Sequence, residues 1–231
     1  MLRGLIFDKD GTLFDFAGTW NSWAEGVIAD LARGDAAQAA LLAGALRFDL
    51  ARGGFDPDSP VIAGTNREAA ELLLAHLPGR SLTEVETYLA EAAAEAPLVP
   101  ATPLAPLMQH LSGDLGLHLG VMTNDSEFSA RRQLRAAGVE GFFPFLAGFD
   151  SGHGAKPDAA PLLAFAQQTG LPPAQVGMVG DSTHDMLAGR AAGMICIAVL
   201  TGLAPAEELA PHAHVVLPDI SHLPEWLHAS R

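Results

Sequence analysis

The stretch Leu5-Ile6-Phe7-Asp8-Lys9-Asp10-Gly11-Thr12-Leu13 decides how the chain is interpreted. Its apolar residues predict a short buried strand, and that strand ends at two carboxylates one residue apart. Open α/β sheets bind ligands in the crevice at the carboxyl ends of their strands, so this placement indicates a site. One acid could act as nucleophile or metal ligand and the other as general acid or base. Taken alone, the segment also fits a strand that runs into a turn, because Asp and Gly are common turn residues.

Composition restricts the classes of protein that this chain could be. Of its 231 residues, 49% are hydrophobic, which is enough for a packed core and argues against disorder. The formal net charge of -14 argues against nucleic acid and anionic membranes as partners, because both need basic surface. Lysine occurs only at positions 9 and 156. A phosphate site in so acidic a protein therefore needs a local cation or a metal ion.

The single cysteine and the distribution of apolar residues predict a cytoplasmic protein. Cys196 cannot form an internal disulfide, which fits a reducing compartment, and its apolar neighbours predict a buried side chain. The first apolar stretch is interrupted by Asp8 and Asp10, so it does not resemble a signal peptide. Because no run of about 18 apolar residues occurs, we expect no membrane span.

Strand and helix patterns alternate over most of the chain, which predicts a parallel sheet with crossover helices. Strands are predicted at 3–8, 117–123, 144–149, 175–180, 195–200 and 213–217. Helices of this part are predicted at 103–113, 126–137, 158–169 and 183–192. Residues 16–96 interrupt the alternation and are expected to contain helices only, at 19–32, 35–48, 65–77 and 82–95. An all-helical module is thus predicted to be inserted after the first strand, with a proline-rich return linker at 97–106.

The second core strand ends in Thr123-Asn124, where a hydroxyl and an amide could donate to an anionic oxygen beside a helix N-terminus. The alternative is a cap for the helix that follows. Lys156-Pro157 is predicted to open the helix that runs to 169, with Pro157 in its first turn. Lys156 could supply fixed positive charge beside the paired carboxylates, or it could be an exposed lysine.

Two further acids follow the fourth core strand. Asp181 ends the strand and Asp185 lies one turn into the next helix, so both can face Asp8 and Asp10. Carboxylates that converge at strand ends suit a hard cation such as Mg²⁺. Taken alone, Asp181 could instead be a helix cap.

The ordered set of motifs resembles the haloacid dehalogenase-like superfamily of hydrolases. It consists of Asp-x-Asp-Gly-Thr at 8–12, Thr-Asn at 123–124, Lys-Pro at 156–157 and Gly-Asp-Ser-x-x-Asp at 180–185. The overall likeness is to phosphoglycolate phosphatase-like members with an alpha-helical cap. The resemblance implies an α/β fold with a Rossmann-like parallel-sheet core, residues 1–15 and 97–231, and a helical cap, residues 16–96.

The resemblance also implies a role for each matched residue. Asp8 would attack phosphorus and form an aspartyl-phosphate, while Asp10 would protonate the leaving alcohol and then deprotonate water. Mg²⁺ would be held by the Asp8 and Asp181 carboxylates and the Asp10 backbone carbonyl, with Asp185 in support. The phosphoryl oxygens would be held by Thr123, Asn124 and Lys156. These roles agree with the chemistry of phosphoryl transfer, which needs in-line positioning and neutralisation of charge.

The implied activity is Mg²⁺-dependent hydrolysis of a small phosphorylated metabolite, either phosphoglycolate-like or a sugar phosphate. Asp10 argues against a dehalogenase, and a cap without lysine argues against a phosphonatase. A phosphomutase, or a non-catalytic protein that binds a phosphometabolite, remains as an alternative. Asp125 departs from the lysine that phosphoglycolate phosphatases often carry after Thr-Asn, which leaves the metabolite open. The oligomeric state is open as well.

Substrate choice is expected to depend on the cap. Arg47, Arg52 and Arg67 are cap cations that could bind a second anionic group of the substrate, although ordinary surface arginines are the expected reading. Trp20 and Trp23 have the spacing of one helix face and are expected to pack between cap and core, the alternative being a platform for the substrate.

Overall fold

A computed structural model describes residues 1–229 and contains one large parallel sheet, one small antiparallel ribbon and ten α-helices. In chain order the elements are β1 (Gly4–Phe7), α1 (Phe16–Ala32), α2 (Ala36–Leu46), β2 (Phe48–Asp49), β3 (Gly54–Phe55), α3 (Asn66–Leu74), α4 (Leu82–Ala94), α5 (Leu104–Gln109), β4 (His118–Met122), α6 (Glu127–Ala136), β5 (Phe145–Ala147), α7 (Ala160–Thr169), β6 (Val176–Gly180), α8 (Thr183–Ala191), β7 (Ile195–Val199), α9 (Ala206–Leu209), β8 (Val215–Leu217) and α10 (Leu223–Ala229). None of these helices is long and apolar enough to cross a membrane.

The six strands of the large sheet are parallel and follow the order β5-β4-β1-β6-β7-β8, which confirms the predicted α/β class. β1 lies between β4 and β6, with Phe7 opposite both Val121 and Val179. Because the three strands run in the same direction and in this register, the residues that follow them meet at one edge. Asp8, Thr123 and Asp181 therefore lie close together.

β1 is buried on both faces, as expected for a strand in the middle of a parallel sheet. Its side chains alternate between two hydrophobic clusters. Leu5 and Phe7 belong to one cluster, together with Val121 and Val179, and Ile6 belongs to the other. This packing holds the end of the strand, and hence Asp8, in a fixed position.

Helices α1–α4 build a hydrophobic cluster of their own from residues between Phe16 and Ala96, with Leu203 packed against it. The expectation of helices only in 16–96 is wrong at one place, because β2 and β3 form a short antiparallel ribbon. The predicted helix 35–48 ends at Leu46, where Arg47 takes a left-handed conformation. Phe48 and Phe55 then pack edge to face across the ribbon, with ring centroids 5.1 Å apart.

The start of α7 differs from the prediction, whereas the burial of Cys196 agrees with it. The helix predicted at 158–169 begins at Ala160, so Pro157 precedes it and Lys156 lies in the loop before it, at a cis peptide bond. Pro161, and not Pro157, occupies the first helical turn. Cys196 is a buried free thiol, as predicted, and burial raises its pKa to about 11.

Candidate active site

The strand ends and the loop 61–66 of the helical module enclose a cavity of about 60 Å³. From the sheet side it is lined by Asp8, Asp10, Thr123, Asn124, Asp125, Lys156, Asp181, Ser182 and His184. From the other side it is lined by Phe16, Trp20, Trp23, Phe55, Val61, Ile62, Ala63, Gly64, Thr65, Asn66 and Ala69. The structure thus brings six of the seven predicted site residues to the wall of one cavity. The seventh, Asp185, is fully buried directly behind it.

Lys156 connects the first and last motifs. Its Nζ lies 2.5 Å from Asp8 Oδ1 and 2.7 Å from Asp185 Oδ1, and all three side chains are almost completely buried. Burial alone lowers the pKa of Lys156, but the charges of Asp185 and Asp8 outweigh it and the pKa lies above its ordinary value. The ammonium therefore stays charged. We call Lys156, Asp8, Asp181 and Asp185 the Lys156 cluster.

The backbone at Gly11 and Gly202 packs closely against the Asp181 carboxylate. Thr12 Oγ1 donates to its Oδ1 at 3.1 Å. A Cβ at Gly11 would lie 2.2 Å from Asp181 Oδ2, and one at Gly202 would lie 1.7 Å from it. Gly11 also has a φ of +82°, which favours glycine. Two glycines are thus needed for the chain to fold around this carboxylate.

Three carboxylates of the Lys156 cluster could share a cation. One oxygen each of Asp8, Asp181 and Asp185 lies within 4.8 Å of the others. Burial raises the pKa of Asp8 to about 7, although Lys156 opposes the shift, and burial also raises the pKa of Asp181 well above its ordinary value. Three buried acids with one lysine carry excess negative charge, so the donor set fits a divalent metal that prefers oxygen ligands.

The structure orients Asp10 differently from the other acids. Its carboxylate faces Lys9, with both oxygens 2.7 Å from Nζ, and not the three carboxylates above. The family resemblance implies a metal role for Asp10 through its backbone carbonyl only, and that role stays a prediction.

Asn124 was predicted to bind phosphoryl oxygens, but its side chain has other partners here. Its Nδ2 donates to Ala63 O and to Lys156 O, each at 2.9 Å, and its Oδ1 accepts from Lys156 N at 2.9 Å. Both amide N–H bonds are thereby used. In this structure Asn124 positions the Lys156 loop, while Thr123 Oγ1 lies buried beside it and accepts from the Asp125 N–H at 3.1 Å.

Sequence reasoning missed a second buried cluster, formed by Lys9, Asp10, Asp125 and Gln133, which we call the Lys9 cluster. Lys9 is fully buried and donates to Asp10 and to the Gln133 side-chain oxygen. Asp125 Oδ2 forms an ion pair with Nζ at 3.3 Å. The rarity of lysine, which drew attention to Lys156, applied equally to Lys9 and could have found it.

The Lys9 cluster contacts the helical module directly. Asn66 Nδ2 donates to Asp125 Oδ1 at 2.8 Å, and Gln133 Nε2 donates to Ala93 O at 2.6 Å. Lys9 Nζ also lies 5.2 Å from the ring centroid of Trp20, a cation–π distance. The cluster therefore joins the end of β1 to α1, α3 and α4.

The three arginines considered for substrate binding lie elsewhere. Arg47 pairs with Asp58, Arg52 with Asp56 at 2.9 Å and Arg67 with Glu71 at 3.4 Å. Each is about half exposed, and none lines the cavity.

Known proteins are similar to this chain in sequence and in fold. Residues 2–193 match the family described as haloacid dehalogenase-like hydrolase. A phosphoglycolate phosphatase of Xylella fastidiosa is 31% identical over 206 residues, which covers 89% of this chain and 83% of that protein.

A phosphoglycolate phosphatase of Chromobacterium violaceum is 41% identical over 95 residues, 41% of this chain and 43% of that protein. The chain spans less than half the length of this and three further curated relatives that it matches. The crystal structure of CbbY from Rhodobacter sphaeroides in complex with phosphate has the same fold, with a TM-score of 0.75 and 19% identity over 96% of each chain.

Proposed function

The chain belongs to the haloacid dehalogenase-like hydrolase family, and on that basis we propose that it is a Mg²⁺-dependent phosphatase of a small phosphorylated metabolite. The observation that carries the proposal is the buried contact between Asp8 and Lys156, 2.5 Å long, at the wall of the cavity. A nucleophile and a fixed cation are thus held side by side. Attack by a carboxylate on an anionic phosphate needs that cation, because the two reactants repel each other.

In the first step, an oxygen of Asp8 forms a bond to phosphorus while the bond from phosphorus to the leaving oxygen breaks. Asp10 gives its proton to that leaving oxygen and becomes a carboxylate. In the second step, Asp10 takes a proton from a water molecule that attacks phosphorus, and the aspartyl-phosphate breaks into Asp8 and inorganic phosphate. In this structure both Asp10 oxygens contact the Lys9 ammonium, so Asp10 would have to turn one oxygen toward the leaving group to carry out these proton transfers.

Lys156 and Thr123 would bind the phosphoryl oxygens in both steps. Asn124 would act through Lys156, since its side chain holds the backbone of that residue at 2.9 Å. The Asp8 and Asp181 carboxylates and the Asp10 backbone carbonyl would hold Mg²⁺, with Asp185 close enough to assist. When bound, the ion neutralises charge on the phosphoryl group and on the acids.

We also propose the division into a catalytic core, residues 1–15 and 97–231, and a cap, residues 16–96. The separate hydrophobic cluster of α1–α4 supports it. The Lys9 cluster and the contacts of Ala63 with Asn124 and His184 would then be the polar junction between the two parts.

The direct test is release of inorganic phosphate from a panel of phosphate monoesters, including p-nitrophenyl phosphate, in the presence of Mg²⁺. We expect release by the wild type, and loss of about 10³-fold or more in D8N and D10N because the nucleophile and the proton carrier are removed. D114N is the matched control, since Asp114 is exposed and lies before β4, at the opposite edge of the sheet.

Other outcomes would favour the alternatives. Formation of an isomeric sugar phosphate with little free phosphate would identify a mutase. Tight binding of a phosphate ester without turnover by the wild type would identify a binding protein.

A further inference from the structure

His184 lines the cavity, and the proposed mechanism gives it no role. It lies in the first turn of α8, one residue before Asp185 of the Lys156 cluster. The proposed function places the phosphoryl group beside Asp8 and Lys156, which that cluster also contains. His184 is therefore a neighbour of the phosphoryl end of the cavity.

The His184 ring reaches from the sheet side of the cavity to the loop 61–66 of the helical module. Its Nδ1 lies 3.2 Å from Ala63 O, and Asn124 Nδ2 donates to the same carbonyl at 2.9 Å. Ala63 itself lines the cavity. The ring thus lies where the two sides of the cavity meet, at the place where a leaving group next to the phosphoryl group has to pass.

The hydrogen bond to Ala63 O fixes the position of the proton on the His184 ring. A carbonyl oxygen can only accept, so the neutral imidazole carries its proton on Nδ1 and a lone pair on Nε2. Nε2 has no hydrogen-bond partner within residues 1–229, and it is not among the enclosed polar atoms that lack one. It is therefore an accessible acceptor that the protein does not use.

The helical-module side of the cavity adds two polar side chains, Thr65 and Asn66. The Thr65 hydroxyl is used in the capping box of α3, where it accepts from the Glu68 N–H at 3.2 Å and donates to the Glu68 carboxylate at 3.0 Å. Asn66 donates to Asp125 through Nδ2 and keeps an amide oxygen and one N–H, so it can serve either a donor or an acceptor. Neutral His184, which can only accept at Nε2, is the side chain that discriminates between them.

We propose that His184 determines specificity, because its Nε2 accepts a hydrogen bond from a hydroxyl group on the leaving alcohol. The substrate is then a phosphate monoester of a small polyol, with a hydroxyl close to the ester oxygen. A carboxylate in that place would meet a lone pair instead of a donor, so phosphoglycolate is a poorer substrate. This inference rests on the proposed phosphatase activity.

The first test compares three esters with two-carbon leaving groups in the presence of Mg²⁺ at pH 8, namely 2-hydroxyethyl phosphate, 2-fluoroethyl phosphate and phosphoglycolate. Fluorine is close to a hydroxyl in size and withdraws electrons more strongly, so a faster reaction of the hydroxyl ester cannot come from a better leaving group. We expect kcat/KM for 2-hydroxyethyl phosphate to be about threefold to tenfold higher than for 2-fluoroethyl phosphate, the range for one hydrogen bond. It should also exceed the value for phosphoglycolate.

The second test separates the two nitrogens of His184. H184N places an amide N–H where Nδ1 was, so it can still donate to Ala63 O, but it has no atom at the position of Nε2. H184F has neither group. We expect the preference for hydroxyl over fluorine to fall to about one in both variants. H118N is the control, since His118 is exposed and begins β4, at the opposite edge of the sheet.

A readout besides activity is the imidazole ¹⁵N spectrum of D8N, in which the His184 signals are those missing from D8N/H184N. We expect the proton on Nδ1. The Nε2 signal should move more on addition of 2-hydroxyethyl phosphate than on addition of 2-fluoroethyl phosphate. A proton on Nε2 would overturn the inference.

An unchanged hydroxyl preference in H184N would show that His184 only holds the loop 61–66, and would also overturn it. So would a wild type that prefers phosphoglycolate or does not distinguish hydroxyl from fluorine, and each of these results would leave the phosphatase in place. Failure of the wild type to hydrolyse any ester would overturn the proposed function and this inference with it.

Discussion

The Lys156 cluster and the Lys9 cluster are built alike but are placed differently. In each, a buried ammonium lies between two carboxylates, Asp8 and Asp185 in one and Asp10 and Asp125 in the other. Lys156 lines the cavity, whereas Lys9 lies behind it and contacts Trp20 of α1. The adjacent residues Asp8, Lys9 and Asp10 are thus divided between the two clusters. Asp8 lies in the cluster that compensates the charge of a ligand, whereas Lys9 and Asp10 lie in the cluster that attaches the helical module.

The largest expected effect on stability comes from removing Lys9. K9M leaves Asp10 and Asp125 buried without a counter-charge, and breaking such a pair costs about 3–5 kcal/mol. Denaturant unfolding of the metal-free protein should show this loss, with R80M, a change at an exposed arginine, close to the wild type. Mg²⁺ should restore little of it, because Asp125 lies outside the three-carboxylate group. A K9M protein as stable as the wild type would contradict a structural role for the Lys9 cluster.

Removing Lys156 should have the larger effect on phosphate binding. K156M should lower kcat/KM about 10²–10³-fold, as for loss of one charged contact to a developing anion. Inhibition by inorganic phosphate should weaken in parallel. In K9M that inhibition should stay near the wild-type value, because Lys9 does not reach the cavity. Equal weakening in both variants would remove the distinction between the two clusters.

The Lys156 cluster should also make metal-free stability depend on pH. The folded-state pKa of Asp8 is about 7, above its ordinary value of 3.8, chiefly because of burial. Its contribution to stability is therefore full below the ordinary pKa and is lost as the pH rises through about 7.

We expect the metal-free protein to lose about 1–3 kcal/mol of unfolding free energy between pH 5 and pH 7. Mg²⁺ should stabilise the protein more at pH 8 than at pH 5, since metal ligands must be deprotonated. Melting temperatures with and without Mg²⁺ across this range measure both effects. A greater effect of Mg²⁺ at pH 5 would argue against carboxylate ligands.

Much of this arrangement could be predicted from local sequence patterns. The apolar runs at 4–7 and 176–180 have the lengths and endings of buried parallel strands. The proximity of Asp8, Asp181 and Lys156 could therefore be predicted from the sequence. The order of the strands in the sheet could not be predicted, because it depends on pairing between segments that are distant in the sequence. The β2–β3 ribbon is only two residues long on each side, too short for a recognisable alternating pattern.

The Lys9 cluster was missed for a different reason. Its members are separated by up to 124 positions, as between Lys9 and Gln133, and each has an ordinary local interpretation. Lys9 occupies the unspecified position of the Asp-x-Asp motif, and Asp125 is distinctive in the sequence only as a departure from the family pattern. The choice of partners for a buried charge is decided by tertiary packing.

The smallest expected effect concerns the hydrogen bond from Asn66 to Asp125. N66A should cost about 1–2 kcal/mol of unfolding free energy, because a bond to a charged group is lost at a partly exposed position. N66D should cost more, since it places a second carboxylate against the first. An N66D variant more stable than N66A in denaturant unfolding would show that Asp125 is not the charged partner.

The most direct measurement of the central claim is rapid acid quenching of the wild type with a radiolabelled phosphate ester and Mg²⁺, followed by mapping of the label. The account predicts a transient phosphoryl group on Asp8, absent from D8N and longer-lived in D10N, where the proton acceptor for water is missing. Turnover without labelled protein, or a label on another residue, would contradict it.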